Sequence, residues 1–340
     1  MRFRYYMLRR LLGIFLVLIG VTLITFFTIH LVPSDPARLW AGSRATREQV
    51  EQTRRQLGLD QPLYVRYAIY LNNLFHGDMG YSCHTRRPVV LDIRDYFPAT
   101  FELTTLAMIL AIVVGLPLGV VSAVKKNTVV DHLSRIFSLA GVSMPSFWFG
   151  LMMQLLFAST LRLLPLSGMI DPFVQVHSPI QKVTGLSILD ATITGNWTAL
   201  FSVLEHMILP ALVLSYSSLV IITRMVRSSM IEVVKQDYIR TARSKGLSER
   251  VVTYKHALKN ALLPTTTVIG LSYGFMLGGS VLVESVFDWP GIGLYATKSA
   301  LIIDYPSILG VTFLFAIIYS AVNLVVDLFY GLIDPRIRYG

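Results

Sequence analysis

Cysteine and charge are both scarce in this sequence, and each shortage excludes a class of protein. Cys83 is the single cysteine in 340 residues, so the chain forms no internal disulfide. Charged residues make up 15% of the chain and hydrophobic residues 54%, whereas soluble domains carry about 25% charged residues. Together with a mean hydropathy of +0.59, this composition predicts a membrane protein that crosses the bilayer several times.

Motifs for nucleotide and metal binding are also missing. The sequence has no Gly-x-x-x-x-Gly-Lys-Ser/Thr phosphate loop, so we expect any ATP to bind another polypeptide. It has no His-Glu-x-x-His pattern and no cysteine pair, and His76 and His84 are too few to form a metal site. The sequence therefore predicts no cofactor, no metal and no catalytic residue on this chain.

Six runs free of Asp, Glu, Lys and Arg are long enough to cross a membrane. They are Leu11–Leu31, Leu103–Val124, Ile136–Leu161, Met207–Thr223, Ala261–Val283 and Tyr305–Val326. At a rise of about 1.5 Å per residue, such runs cover the hydrocarbon core of roughly 30 Å. Ion-coupled carriers usually bury ionisable groups at this depth. Because these runs lack carboxylates and cations, we expect the driving energy to arrive from outside the bilayer.

The distribution of basic residues predicts the orientation of the chain. Segments 1–10, 125–135, 224–260 and 327–340 together hold 18 Lys/Arg and 6 acids, while segments 162–206 and 284–304 hold 3 Lys/Arg and 6 acids. Cytoplasmic loops are enriched in Lys and Arg. Both termini are therefore predicted to be cytoplasmic, and the net charge of +10 indicates membrane sidedness rather than nucleic-acid binding.

The long segment between the first two runs, residues 32–98, is predicted to be a folded extracytoplasmic loop. Thr46 and Gln49 form the pattern of a capping box, and Gly58 ends the helix that the box begins. Pro62 begins a second helix that closes at Gly77. We expect both helices to lie on the outer membrane surface, where they are structural caps or contact an external partner.

Segment 224–260 is the most strongly patterned polar part of the chain, with nine Lys/Arg and three acids. Four apolar positions recur every four residues and predict a helix with one apolar stripe: Met230, Val234, Tyr238 and Ala242. Gly246 breaks this helix. Ser248 can cap a second short helix that places Val251, Tyr254 and Leu258 on one face. Two helices joined by a glycine turn on the cytoplasmic side favour a docking surface over a chemical site.

The same segment carries a resemblance to a known family. Tyr238-Ile-Arg-Thr-Ala-Arg-Ser-Lys-Gly246, followed by His256-Ala-Leu-Lys-Asn-Ala-Leu-Leu-Pro264, resembles the coupling loop of ABC importer permeases, in the form typical of the dipeptide, oligopeptide and nickel group. The general Glu-Ala-Ala pattern of the family falls on Arg240, Thr241 and Ala242. Shorter matches extend the resemblance over the chain: Val32–Pro36, Leu57–Leu63, His76–Gly80, Asp288–Gly293, Asp304–Pro306, Asn323–Asp327 and Asp334–Arg336.

The resemblance implies an all-α membrane protein with six transmembrane helices, the type I ABC importer permease fold and both termini inside. It is most similar to the B-type permease subunit. The implied division is a cytoplasmic N-terminus with the first span at 1–31, a helical extracytoplasmic loop at 32–98, and a core permease domain at 99–340 that contains the coupling loop 224–260. The implied location is the prokaryotic plasma membrane.

The resemblance also implies the partners and the mechanism. A second homologous permease completes the pathway, two cytoplasmic ATPase subunits bind ATP and Mg²⁺, and a separate extracytoplasmic protein binds the solute. We expect the ATPase to grip the bend at Gly246 and to drive alternating access. The residues expected to carry this coupling are Tyr238, Arg240, Thr241, Ala242, Arg243, Lys245, Gly246, Leu247, Ser248 and Glu249. Arg224 and Arg227, beside a span end, are instead interpreted as cations that follow the charge bias.

Several residues inside the runs are candidates either for lining a pathway or for helix packing. They are Gln154, Gly270, Ser272, Tyr273, Gly274, Gly278 and Asn323. Glycines spaced by four residues favour close helix contact, as do Gly115 and Gly119 in the second run.

Alternative functions remain open at this point. Gly270-Leu-Ser-Tyr-Gly274 also fits the Gly-x-Ser-x-Gly motif of serine hydrolases, which makes an intramembrane hydrolase a remote alternative. A cargo of nickel or another small solute remains a closer one, because relatives of the peptide systems carry such solutes.

Overall fold

The structure is a computed structural model that describes residues 3–31, 35–42 and 44–333. Its described part is built from helices, with one isolated antiparallel bridge between Tyr81 and Pro88. The helices are α1 Phe3–Leu31, α2 Pro36–Ala41, α3 Arg47–Gln56, α4 Leu63–Phe75, α5 Val89–Val124, α6 Val129–Ser143, α7 Ser146–Met153, α8 Pro172–His177, α9 Ser187–Ile193, α10 Trp197–Val233, α11 Asp237–Ser244, α12 Glu249–Val251, α13 Leu258–Gly279, α14 Val281–Val286, α15 Ile292–Leu301 and α16 Tyr305–Ile333. Two π-helical segments, Gln154–Thr160 and Val252–Ala257, extend α7 and join α12 to α13.

Five helical stretches in the described part of the chain are long and apolar enough to cross a membrane. They are Met7–Leu31, Val89–Val124, Trp197–Val233, Glu249–Gly279 and Tyr305–Leu328. The sixth predicted span is a pair of helices, Val129–Gly141 and Ser146–Thr160, which meet at an angle of 106°. Pro145 sits at this bend with an extended backbone, as expected because proline cannot continue a preceding helix. The prediction of six spans is met when this bent pair counts as one.

The centre of the bundle is the contact between α5 and α10. At Gly119 a β-carbon would lie 2.7 Å from Val226 Cβ and 2.8 Å from the Thr223 carbonyl oxygen, and at Gly115 it would lie 3.1 Å from the Leu219 carbonyl oxygen. The two helices can approach this closely only because both positions are glycine. The predicted packing role of Gly115 and Gly119 is therefore confirmed.

Helix α16 packs against α13 on one side and α1 on the other. Gly270 and Gly274 of α13 face Val326 and Val322 of α16, while Gly278 has no atom within 4 Å of its β-carbon position. The first two glycines thus serve helix packing, as the spacing predicted. Near the cytoplasmic end, Arg10 of α1 forms an ion pair with Asp327 of α16.

The spanning helices are longer than the charge-free runs that predicted them. Helix α10 runs to Val233, so the first ten residues of segment 224–260 continue the span. Helix α5 begins at Val89 and includes the buried acids Asp92 and Glu102. The runs themselves hold no carboxylate, as the sequence showed, but the helices extend beyond them and bury carboxylates there, because the turns beyond each run remain helical.

The extracytoplasmic loop contains the predicted capping box. The Thr46 side chain accepts a hydrogen bond from the Gln49 amide (3.3 Å), the Gln49 side chain accepts one from the Thr46 amide (2.9 Å), and Gly58 follows the helix with a φ of +62°. Residues 32–34 of one matched fragment, and the whole of another, residues 334–336, lie outside the described residues.

Helix α4 does not lie flat on the outer surface. Its Tyr67 hydroxyl lies 3.1 Å from Thr22 Oγ1, and the rings of Phe75 and Phe15 stack at 6.5 Å. These contacts follow α1 from its outer end towards its middle, so α4 packs antiparallel along α1. The aromatic side chains of Tyr67 and Phe75 on α4 thus contact this span.

Candidate functional site

The predicted coupling segment is a short helical hairpin between two spanning helices. Helix α10 ends at Val233, α11 occupies Asp237–Ser244, and the chain reverses at Gly246, whose φ is +75°. A left-handed backbone of this kind costs other residues roughly 1–2 kcal/mol. Ser248 then stands at the N-cap position of α12, although its side chain makes no capping hydrogen bond. The glycine break and the second helix start are where the sequence placed them.

The predicted apolar stripe from Met230 to Ala242 does not lie on one helix. The helix stops at Val233, and residues 234–236 form a turn before α11. In α11 the side chains that point into the core are Ile239 and Ala242, with 0% and 7% exposure. Ala242 therefore allows α11 to pack closely on its own protein.

Two members of the predicted apolar face of the second helix are exposed, and the third, Leu258, is half-buried. Val251 and Tyr254 are 38% and 58% exposed, whereas Val252 and Ala257 are 1% and 0% exposed. The π-helical segment Val252–Ala257 lies in this stretch. Its wider turns change the angular spacing of the side chains, and the side chains that point into the core are those of Val252 and Ala257. The segment joins α12 to α13 without a break.

An exposed surface of mixed apolar and basic character results, which we call the hairpin surface. Its exposed apolar members are Tyr238, Leu247, Val251 and Tyr254, and its exposed polar and basic members are Arg240, Thr241, Arg243, Lys245, Ser248, Glu249 and Arg250. The Tyr238 hydroxyl accepts a hydrogen bond from Asn260 Nδ2 at 2.6 Å. This bond fixes the side of α11 against the start of α13.

Arg243 and Glu249 close the hairpin across the glycine turn. The distances are 2.8 Å from Arg243 Nε to Glu249 Oε1 and 3.3 Å from Nη2 to Oε2. The two side chains are 41% and 68% exposed, and surface ion pairs of this kind contribute about 0–1 kcal/mol. The pair orients the two helices of the hairpin rather than stabilising the fold. Arg243, one of the cations predicted to contact a partner, is therefore bound within the chain.

Arg227, interpreted from the sequence as a cation without a specific partner, has one. Its Nε and Nη2 atoms donate to the two oxygens of Asp131, at 2.7 and 2.9 Å. Asp131 is fully buried and also accepts hydrogen bonds from Ser122 Oγ and the Asn127 amide. A two-pronged contact of this kind depends on the planar guanidinium. The pair joins α10 to the start of α6 at the predicted cytoplasmic side, close to the hairpin.

Two of the seven candidate pathway residues form side-chain hydrogen bonds to other parts of the bundle. Gln154 is buried and donates to the carbonyl oxygens of Leu166 (2.8 Å) and Val286 (3.0 Å). The Tyr273 hydroxyl lies 2.8 Å from Thr105 Oγ1 and links α13 to α5. Asn323 is half-buried on α16. For Gln154 and Tyr273, the structure supports the packing alternative that the sequence left open.

The structure contradicts the hydrolase alternative. Ser272 is 8% exposed and lies in the interior of α13, a continuous helix from Leu258 to Gly279. A serine nucleophile of the Gly-x-Ser-x-Gly type needs a sharp turn from a strand into a helix to expose its hydroxyl. Here the two glycines of the motif pack on α16 instead.

Sequence reasoning missed a hub at the opposite end of the molecule. Glu284 is 0% exposed and accepts hydrogen bonds from Thr100 Oγ1, Ser280 Oγ and the amides of Gly293 and Leu294. Burial raises the pKa of its carboxyl group. A signal was available in the sequence. Glu284 directly follows an apolar run and precedes Pro290-Gly291, and a charged residue is unusual at the edge of a membrane span.

Comparison with known proteins agrees with this arrangement. Residues 115–339 match the family model described as the inner membrane component of binding-protein-dependent transport systems, and residues 2–104 match the model for the N-terminal part of such membrane components. The chain belongs to this family. It is thus a permease subunit of an ABC importer, a non-catalytic, multi-pass protein of the bacterial inner membrane, and ATP hydrolysis takes place on separate chains.

Three relatives cover nearly the whole permease. It is 48% identical to the probable D,D-dipeptide transport system permease of Escherichia coli, with 98% of this chain and 97% of the relative covered. It is 45% identical to the dipeptide transport system permease of Alkalihalophilus pseudofirmus, with 98% and 99% covered. It is 43% identical to the di/tripeptide transport system permease of Pseudomonas aeruginosa, with 94% of each covered.

Membership defines the partners of this permease in outline, namely ATPase subunits and a substrate-binding protein. Among the residues that the structure describes, no group of three or more His, Cys, Asp or Glu side chains could hold a metal ion.

Proposed function

We propose that this permease imports dipeptides or short oligopeptides, as one of two homologous permease subunits that together enclose the pathway. Two cytoplasmic ATPase subunits and an extracytoplasmic binding protein complete the transporter. The observation that carries the proposal is the identity of 48% and 45%, over 98% of the chain, to two permeases named for dipeptide cargo.

The hairpin surface is the proposed contact with an ATPase subunit. It combines exposed side chains of Leu247 (39%) and Tyr254 (58%) with the cations Arg240 and Lys245. Aromatic and aliphatic side chains surrounded by arginine and lysine suit a protein groove with acidic or carbonyl groups at its rim. The segment is also built as one body, since Ile239 and Ala242 anchor α11 in the core.

The covalent path from this surface into the bundle supports a coupling role. Helix α12 continues through Val252–Ala257 into α13 without a loop. Displacement of α12 by a closing ATPase would therefore move α13, and with it the packing of Gly270 and Gly274 on α16. Movement of packed helices between two arrangements is the physical basis of alternating access.

Gly246→Val tests this role, with Gly195→Val as a matched control. Both glycines have a positive φ (+75° and +68°), follow a helix, and have no atom within 4 Å of the β-carbon position. Both substitutions therefore carry a similar backbone cost, but Gly195 follows α9 on the predicted outer side. The readouts are assembly of the transporter in the membrane and ATPase activity stimulated by binding protein and dipeptide in proteoliposomes.

We expect Gly246→Val to assemble normally and to lose at least 90% of the stimulated ATPase activity, while Gly195→Val retains it. Retained coupling in Gly246→Val, or equal loss in both variants, would refute the assignment of the hairpin.

Uptake assays in the same vesicles identify the transported solute. A labelled dipeptide should accumulate. Accumulation of Ni²⁺ without dipeptide uptake would favour the small-solute alternative.

A further inference from the structure

A cavity of about 390 Å³ lies at the outer end of α1, away from the hairpin surface. It is enclosed by the outer ends of α1 and α16, the loop helices α2 and α4, and residues 78–83. Phe26, Trp40 and Tyr70 form part of an aromatic wall. Aromatic side chains of this type are common where a membrane protein meets the lipid headgroups.

A cation in this cavity is paired with a neutral group. Arg66 Nη2 lies 2.6 Å from His30 Nε2, and His30 Nδ1 lies 2.6 Å from the Phe26 carbonyl oxygen. A carbonyl can only accept, so His30 donates from Nδ1 and accepts from Arg66 at Nε2 as the neutral imidazole. Within the described ranges, no carboxylate forms an ion pair with Arg66. Among these residues, the guanidinium charge therefore has no carboxylate as counter-charge.

Two further polar groups line the same cavity. The Tyr70 hydroxyl is buried and has no hydrogen-bond partner among the described residues, and leaving such a group unsatisfied costs about 1–3 kcal/mol. Asp78 accepts a hydrogen bond from the Gly80 amide through one carboxylate oxygen. The cavity thus presents a guanidinium, an unsatisfied hydroxyl and a carboxylate between aromatic walls.

The position of the cavity distinguishes a lipid from a solute in transit. The central contacts of the bundle are those among α5, α10 and α13, whereas α1 packs on α16 at the edge. Much of α1 is open to the surroundings, with Ile24 65% and Leu31 81% exposed. A ligand held between α1, α4 and α16 therefore lies beside the lipid-facing surface of the bundle.

We propose that this cavity binds the headgroup of an outer-leaflet phospholipid that carries both a phosphate and a primary ammonium group. The phosphate accepts hydrogen bonds from Arg66 and Tyr70, and the ammonium pairs with Asp78. The acyl chains extend along the exposed apolar face of α1 near Ile24. The lipid supplies the anion that Arg66 lacks and fixes α4 against the first span.

Lipid retention by the assembled transporter tests the proposal. Complexes carrying Arg66→Gln, Asp78→Asn or the control Arg55→Gln are purified in mild detergent, and the bound lipid is measured by native mass spectrometry. Arg55 is an exposed arginine of α3 in the same loop and does not line the cavity. Phosphatidylethanolamine and phosphatidylglycerol are then titrated into delipidated complexes, with inorganic phosphate and a dipeptide as competitors.

We expect Arg66→Gln to weaken phosphatidylethanolamine binding at least tenfold and Arg55→Gln to leave it unchanged. Asp78→Asn should weaken phosphatidylethanolamine binding and leave phosphatidylglycerol binding unchanged, which also shows that the site is folded. Equal retention by Arg66→Gln and wild type overturns the proposal. So does equal affinity of the wild type for both lipids, or displacement of the lipid by inorganic phosphate or by the dipeptide at similar concentration.

Discussion

The hydroxyl group of Thr100 connects α5 to the start of α15 through Glu284. Thr100 Oγ1 donates to Glu284 Oε1 at 2.8 Å and accepts from the Ile292 amide, also at 2.8 Å. Glu284 Oε2 accepts from the next two amides, those of Gly293 and Leu294. The first amides of a helix have no partner within the helix. Here side chains from two other helices supply those partners, so α15 is capped by tertiary structure.

The glycines of the matched fragment Asp288–Gly293 follow from this cap. A β-carbon at Gly291 would lie 2.4 Å from both Glu284 Oε2 and Thr100 Oγ1, and one at Gly293 would lie 2.6 Å from Val281 Cα. Trp289 is fully buried, and its Nε1 donates to the Ala99 carbonyl at 2.9 Å. The fragment is therefore a structural joint on the outer side, where it joins α5, α14 and α15.

Glu284→Gln should destabilise the transporter, because a glutamine amide group can accept through only one atom. The side-chain NH₂ group of the glutamine would then face either the two hydroxyl donors or the two amide donors that now bond to Glu284. A buried polar group left unsatisfied in this way costs about 1–3 kcal/mol. The measurement is thermal unfolding of the purified complex. Glu205→Gln is the control, because Glu205 is an exposed acid of α10. This variant should unfold at the wild-type temperature. An unchanged midpoint for Glu284→Gln would contradict a capping role.

The Asp131–Arg227 pair should show strong coupling in a double-mutant cycle. Charged hydrogen bonds contribute about 1.5–3 kcal/mol, so Asp131→Asn and Arg227→Gln should each cost about 2 kcal/mol, and the double variant less than their sum. Asp237 and Arg240 provide the control cycle. Their side chains are 96% and 77% exposed, and the distance from Arg240 Nη1 to Asp237 Oδ1 is 3.6 Å. Such an exposed pair should couple by less than about 1 kcal/mol. Equal coupling in both cycles would show that burial of Asp131 adds nothing.

Gly119→Ala should separate α5 from α10. The added carbon meets Val226 Cβ and the Thr223 carbonyl oxygen at less than 3 Å, and overpacking of this kind costs about 1–3 kcal/mol. Gly278→Ala is the matched control in α13, where the added carbon meets no atom within 4 Å. This substitution reduces the backbone freedom of the unfolded chain, which should raise the free energy of unfolding by about 0.4–1 kcal/mol. Unfolding midpoints of the two variants should therefore move in opposite directions.

Cys83 should resist alkylation in the folded transporter. Burial, followed by the charge of Asp304, raises the pKa of its thiol to about 12. Because the thiolate is the reactive form, and roughly one thiol in ten thousand is ionised at pH 8, the alkylation rate should be low there and should rise about tenfold per pH unit up to pH 10. The denatured chain, with an ordinary thiol pKa near 8.5, should instead reach a plateau above about pH 9. A native rate that levels off at pH 9 would contradict the shifted pKa.

The parts of the fold that depend on local composition were predictable. Apolar runs of sufficient length give spanning helices because the bilayer leaves no other way to satisfy the backbone, and the runs predicted all five long spans. Thr46 with Gln49 gave the capping box, and Gly246 gave the turn of the hairpin, since both signals involve neighbouring residues. The single stripe predicted from Met230 to Ala242 was lost because the turn at 234–236 separates α10 from α11.

What the sequence determined by itself is the class of protein, the position of its spans, their predicted sidedness and the place of the hairpin, because hydropathy, charge bias and glycine act over short stretches. Only the tertiary structure decided that Thr100 caps α15 through a residue 184 positions away, that Arg227 pairs with Asp131 across 96 positions, and that α4 packs along α1. Each of these depends on which helices meet in space. No periodicity within one segment specifies that choice.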